Sequence, residues 1–233
     1  MAAAPLYITE QRAEVVDFSI PFLVVESAIL LCKTGSPAVR VRSAADLLAA
    51  SPEVLQFGTL NAGLIYRNLR TSNSTLHRML YSRMRRSRPP AFESTNEAGI
   101  ERVRSTAAGR RRYAFILPRT IADYIARRYP CDLRVVVDPA LSSERFGLAV
   151  PRGSGLRPQL NRALRQLIAD GFVARTYARW MLDNSECAGN MAAAVRAYGS
   201  GQRRTASSTL PVVVSPLLPI ILVSSICGKM CYL

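Results

Sequence analysis

Lysine is nearly missing from this sequence of 233 residues: Lys33 and Lys229 are the only two, so the formal charge of +15 is carried by arginine. Histidine is scarcer, with His77 alone. One histidine and the cysteines at 32, 131, 187, 227 and 231 do not make a usual zinc-ligand set, so neither a metal centre nor a cofactor is expected. The N-terminus, Met1-Ala-Ala-Ala-Pro-Leu, lacks the basic head and apolar stretch of a secretory leader. Catalytic sets are missing as well. Gly153-Ser-Gly155 has the spacing of neither a nucleophile elbow nor a phosphate loop, and His77, among Arg67, Arg70 and Arg78, reads as an exposed polar residue. An enzyme is therefore not expected.

What is present is a hydrophobic content of 49%, enough for a packed core. Arginine is densest over Arg83–Arg88 and Arg110–Arg112. Such clusters read first as solvated faces. Without interleaved aromatics or a recognised motif, they leave an arginine-rich nucleic-acid binder only as a minor alternative.

Local patterns alternate between strand and helix, which implies an α/β fold. Phe18 to Leu31 is apolar around Pro21 and reads as extended segments and a strand. Ser43, three residues before Asp46, looks like a helix N-cap. Gln56 to Leu60 reads as a strand leading through Asn61-Ala-Gly63 into a helix that begins at Leu64. A helix is expected over Glu97–Val103, a buried strand over Tyr113–Leu117, and a helix over Arg119–Arg128 that stops before Pro130. Phe146–Val150 reads as a further strand. Ser154 is then expected to cap a helix that Gly171 ends, and a second helix from Phe172 to Leu182 carries Phe172, Tyr177 and Trp180 on a core-facing stripe.

Residues 188–208 are small, polar and basic, as in a linker, and 209–233 form an apolar tail. Residues 210–227 carry no charge and approach the length of a membrane span, but Pro211, Pro216 and Pro219 interrupt them. An imperfect membrane helix, a lipid-anchoring signal and a splicing product all fit this composition.

The segment Pro5-Leu-Tyr7-Ile-Thr-Glu-Gln-Arg12-Ala-Glu-Val-Val-Asp17-Phe-Ser19-Ile-Pro21-Phe22 resembles the ionotropic glutamate receptor signature, an arginine ahead of a Val/Ile-Asp-Phe-Ser-x-Pro-Phe run. Further matching pieces follow in the family's order: Ser43-Ala-Ala-Asp46-Leu47, Phe57-Gly-Thr-Leu-Asn-Ala-Gly63, Tyr113-Ala-Phe-Ile-Leu117 and Phe146-Gly-Leu-Ala-Val-Pro-Arg-Gly-Ser154. Tyr129-Pro-Cys131-Asp132 and Glu186-Cys187-Ala-Gly189 resemble the two ends of the family's disulfide, which implies a Cys131–Cys187 bridge.

The resemblance implies a two-lobed clamshell of the periplasmic-binding-protein kind, with lobe one incomplete, whose closure on a ligand opens a cation channel. Residues 1–35 would be a remnant of lobe one, 36–42 the junction where the family inserts its pore, 43–145 lobe two, and 146–187 the return to lobe one. The part of lobe one that precedes Pro5 in the family, and the pore itself, are expected to be missing from this chain.

In the family an arginine binds the ligand carboxylate as a bidentate, charge-assisted pair, and Arg12 matches it. Pro5 matches a backbone carbonyl acceptor and Tyr7 a smaller hydroxyl residue. Leu64 and Ile65 replace a Ser/Thr pair that receives a second carboxylate, and Pro118 replaces the acid that holds the amino group. A small ligand with one carboxylate and an apolar body is therefore expected instead of glutamate, as in divergent chemosensory receptors of invertebrates. The family further implies tetrameric partner subunits, a cell-membrane location and extracellular lobes. The alternatives are a pore-less solute-binding protein and a non-functional fragment.

Overall fold

The computed structural model describes residues 2–33 and 40–187. The linker, the apolar tail and most of the junction lie outside them. Two units are distinguished. The first gathers Met1–Val24 and Glu144–Ala178; the second gathers Val25–Ser143 and the stretch from Arg179.

The second unit is built on four strands. The run Leu23–Cys32, β3, is apolar at successive positions, and its centre is buried without the alternation of a one-sided strand. Such a run belongs in the middle of a sheet. It pairs antiparallel with β5 (Arg112–Pro118) on one side, Leu30 opposite Phe115, and with β6 (Leu133–Val137) on the other, Cys32 opposite Leu133. β4 (Leu55–Thr59) lies parallel to β5, with Leu55 opposite Arg112. The sequence reading gave residues 25–33 to lobe one and left β6 unassigned. The ladder instead places both in the second unit, because a strand buried on both faces needs a neighbour on each edge.

Helices cover both faces of this sheet. Ile29, Phe57, Leu80 and Met84 belong to one apolar cluster; Leu30, Ile100, Phe115 and Leu133 belong to another. Each such large side chain, once buried, contributes about 2 kcal/mol. Helix α2 (Ala44–Ala49) begins in a complete capping box: the Ser43 side chain accepts from the Asp46 N–H, and the Asp46 carboxylate accepts from the Ser43 N–H. Helix α3 (Leu64–Thr71) follows Gly63, α4 spans Thr75–Arg86, α5 spans Asn96–Ser105, and α6 spans Arg119–Ala126, ending ahead of Pro130.

Gly58 on β4 is a close-approach position. A Cβ there would lie 1.5 Å from the Ala91 carbonyl oxygen and 2.3 Å from the Tyr113 hydroxyl.

The first unit centres on β7 (Ser143–Pro151), which pairs antiparallel with β1 (Ala2–Tyr7) and with β2 (Val16–Phe18). Ser19 extends the pairing: its N–H donates to the Leu148 carbonyl, and its Oγ accepts from the Leu148 N–H. The short helix α1 (Glu10–Ala13) bridges β1 and β2, capped by Thr9. Helix α7 (Leu156–Ala169) follows β7, and Gly171, at φ +70°, ends it and opens α8 (Phe172–Tyr177). Ser154 is not the cap expected of it. Gly155 holds that position, and the Ser154 hydroxyl is buried without a hydrogen-bond partner.

The helix expected to run on to Leu182 changes to a π-helix over Ala178–Asp183. Tyr177 is buried, while Trp180 is only half-buried. The disulfide Cys131–Cys187, with a Cα separation of 5.6 Å, fastens the C-terminal stretch to the second unit.

Candidate functional site

Arg12 stands on α1, exposed, in the first unit. The local fold is simple. Thr9 accepts from the Arg12 N–H at 3.3 Å and sets the helix start, while the guanidinium turns back and donates from Nη1 to the Tyr7 carbonyl oxygen at 3.2 Å. Among the described residues Arg12 forms no ion pair, so its charge is not neutralised by a carboxylate of its own unit. That contrasts with most guanidinium groups elsewhere in the chain.

Tyr7 is stacked on Phe146 with ring centroids 4.3 Å apart. Burial, then the charge of Glu144, pushes its hydroxyl up to about 12, with Arg12 acting in the opposite direction. It stays protonated at neutral pH and can donate a hydrogen bond. Pro5 lies on β1 two residues before Tyr7. Pro5, Tyr7 and Arg12 thus fall on one short stretch of the first unit.

Leu64, Ile65 and Pro118 belong to the second unit. Leu64 opens α3, whose N-cap Gly63 makes no side-chain hydrogen bond, so the helix start offers backbone N–H groups alone. Leu64 is half-buried, but Ile65 is turned into the core with 7% of its surface exposed. Its side chain therefore cannot form the apolar wall expected of it, and only its backbone remains available there. Pro118 ends β5 and caps α6, and Ser27 is its partner in the β3–β5 register.

The acids beside Pro118 were not singled out from sequence. Glu26, the one carboxylate in the apolar run of β3, pairs with Arg119 at 2.5 Å; Arg119 also pairs with Asp123 at 3.2 Å, and Asp123 with Arg127 at 3.4 Å. A lone acid within a buried strand was the available signal for Glu26, and the i,i+4 spacings for the rest. Their carboxylates are already opposed by guanidinium charge.

His77 is more engaged than expected. Its Nδ1 lies 2.9 Å from the Ser72 Oγ and its Nε2 lies 2.8 Å from the Ala140 carbonyl oxygen, so both ring nitrogens tie α4 to loops. Among the described residues no group of acids, cysteines and histidines could hold a metal.

Comparisons with known proteins fix the family. The sequence model of the bacterial extracellular solute-binding proteins, family 3, matches residues 1–183. The chain belongs to that family. Within it, the chain carries a ligand-binding region of the ionotropic glutamate receptor type, on the expected periplasmic-binding-protein-like α/β fold.

Glutamate receptor 3 of Mus musculus is 33% identical over 147 residues, covering 63% of this chain and 16% of the mouse protein. The Homo sapiens Glutamate receptor 3 matches to the same extent, 33% over 147 residues. Among solved structures, the Drosophila muscle GluRIIB complex with glutamate is similar at a TM-score of 0.64 and 30% identity, covering 77% of this chain and 66% of that one. The chain thus spans a small part of the length of the receptors it matches. No helix among the described residues is long and apolar enough to cross a membrane.

Proposed function

We propose that this chain is the ligand-recognising part of a ligand-gated cation channel subunit of the glutamate-receptor type, and that it takes a small carboxylate-bearing ligand other than glutamate. The observation that carries the reading is Arg12: exposed, held at one edge by the Tyr7 carbonyl, and unpaired with any carboxylate among the described residues. A planar guanidinium in that state can accept a carboxylate through two parallel hydrogen bonds. The donating Tyr7 hydroxyl and the Pro5 segment belong to the same stretch.

Selectivity against amino acids follows from what the second unit offers. Leu64 brings no side-chain donor for a second carboxylate, and Pro118 brings no charge for an ammonium group. Glu26 and Asp123, the nearest acids to Pro118 in the fold, both face Arg119 at 2.5 and 3.2 Å. An ammonium group would have to compete with that guanidinium. A monocarboxylate with an apolar body fits the remaining chemistry, which supports a chemosensory role at a cell membrane, in company with other subunits.

Calorimetric titration of the chain with butanoate, phenylacetate, their methyl esters and glutamate tests this. Binding of the free acids, with loss on esterification and weaker binding of glutamate, is the expected pattern. Glutamate as the tightest ligand would overturn the selectivity. A carrier without channel activity would bind the same acids, and differs only in giving no ligand-gated current when the whole protein is expressed in a cell.

A further inference from the structure

Strand register gathers several basic features on one edge of the second unit. The end of β3 at Cys32 lies opposite Leu133 at the start of β6. The antiparallel β3–β5 and parallel β4–β5 registers bring the starts of β5 and β4 to the same edge. The Cys131–Cys187 disulfide is fastened there, and the Lys33 Nζ donates to the Cys131 carbonyl at 2.7 Å. Arg83 ties the C-terminal end of α4 to this edge by donating to the carbonyls of Leu48, Ala50 and Leu55. Arg111 joins the turn before β5 to the loop after α4 through the Arg88 carbonyl, at 2.7 Å.

The outcome is a surface of one sign. Arg85, Arg86, Arg88, Arg110 and Arg111 are exposed, and the first three line a shallow groove with Tyr81. The acids of this edge are mostly engaged: Asp132 pairs with Arg104 at 3.1 Å, and Asp46 accepts backbone N–H groups from Arg42 and Ser43. Glu53 is the exposed exception.

We propose that this arginine edge rests against an anionic phospholipid surface. The complementarity is chemical, since guanidinium groups bind phosphate oxygens in pairs and each basic side chain near an anionic bilayer adds to attraction. It is also topological. The described chain is interrupted after Lys33 and ends at Cys187, both on this edge, and the sequence beyond Cys187 includes residues 210–227, which carry no charge. Nucleic acid fits less well. Tyr81 is packed edge-on against Tyr66 at 5.6 Å and shares a hydroxyl contact with it, so it offers no open face on which a base could stack. The proposal does not depend on the ligand of Arg12.

The test uses the full chain in vesicle flotation, with phosphatidylcholine alone and with phosphatidylserine added. Wild-type protein is expected to float with the anionic vesicles in preference to the neutral ones. The combined variant Arg85→Glu, Arg86→Glu, Arg110→Glu should lose that preference by roughly tenfold or more. Arg157→Glu, Arg162→Glu, Arg165→Glu, an equal change of charge on exposed positions of α7, should retain it. Equal loss in both variants would show an effect of net charge alone and overturn the proposal. Equal flotation of wild type with the two vesicle types would overturn it too, as would release from anionic vesicles by an oligonucleotide at far lower phosphate concentration than free phosphatidylserine vesicles require.

Discussion

The two units spend arginine differently. In the second, Arg83 reaches three backbone carbonyls and lies over the Phe57 ring at 5.2 Å. Arg102 joins Glu93, the Pro90 carbonyl and the Gln56 side chain, and covers Tyr113 at 4.1 Å. Arg128 reaches the Asn184 carbonyl and Glu186 beside the disulfide. In the first unit Arg157, Arg162 and Arg165 are exposed along α7, and Arg12 waits on α1. A composition that reads as one undivided charge excess is thus partly architecture, in the second unit, and partly surface and recognition, in the first. Lysine could not replace the architectural share, because a single ammonium cannot fan out to several carbonyls in one plane.

If that contrast is right, the second unit should tolerate substitution worse. The largest effect is expected for Gly58→Ala, where the added methyl meets a backbone carbonyl; a loss of about 3 kcal/mol or more is expected in a denaturant titration. Gly147→Ala in the first unit meets only the flexible Ile8 side chain, at 3.0 Å, and should cost about 1 kcal/mol. Equal costs at the two glycines would break the comparison.

Arg83→Ala should follow, since it strands three carbonyls in a half-buried place; about 2–3 kcal/mol is expected, and Arg83→Lys should recover less than half of it. Full recovery by lysine would remove the geometric argument for arginine. Ser43→Ala breaks the α2 capping box and should lower stability by about 1 kcal/mol. Backbone N–H bonding from Arg42, chiefly, holds the Asp46 carboxyl below its ordinary range. A depressed carboxyl stabilises the fold above its unfolded value and ceases to do so as pH falls through the folded one, so Asp46→Asn should flatten part of the acid-side decline in stability.

The smallest effect belongs to Tyr7. Its raised value means that the unfolded chain ionises first as pH climbs, so the stability it contributes is complete below the ordinary tyrosine value of 10.0 and is lost toward about 12. Tyr7→Phe should remove that alkaline component, which ultraviolet titration would show.

Much of this fold was legible because its signals are local. Ser43 three before Asp46, Gly63 ahead of Leu64, the apolar run of Tyr113–Leu117 and Gly171 after α7 each state a boundary in the nearest few residues. The membership of β3 was not local, since only its partners β5 and β6 decide which unit it joins. Ser154 lost its capping role to Gly155 one residue on, a shift that propensity cannot resolve. At the candidate site, the motif around Arg12 was readable, but the inward turn of Ile65 was not: two adjacent apolar residues at a helix start share one pattern, and packing chooses which faces the core. Glu26 escaped notice because its partner Arg119 lies on a distant strand end.

Titration of wild type and Arg12→Ala with butanoate tests the central claim most directly, with circular dichroism to show that the exposed substitution leaves the fold intact. The account predicts saturable binding by wild type and a loss of at least about a hundredfold in the variant, in line with the removal of a charge-assisted pair. Unchanged affinity in the variant would contradict it.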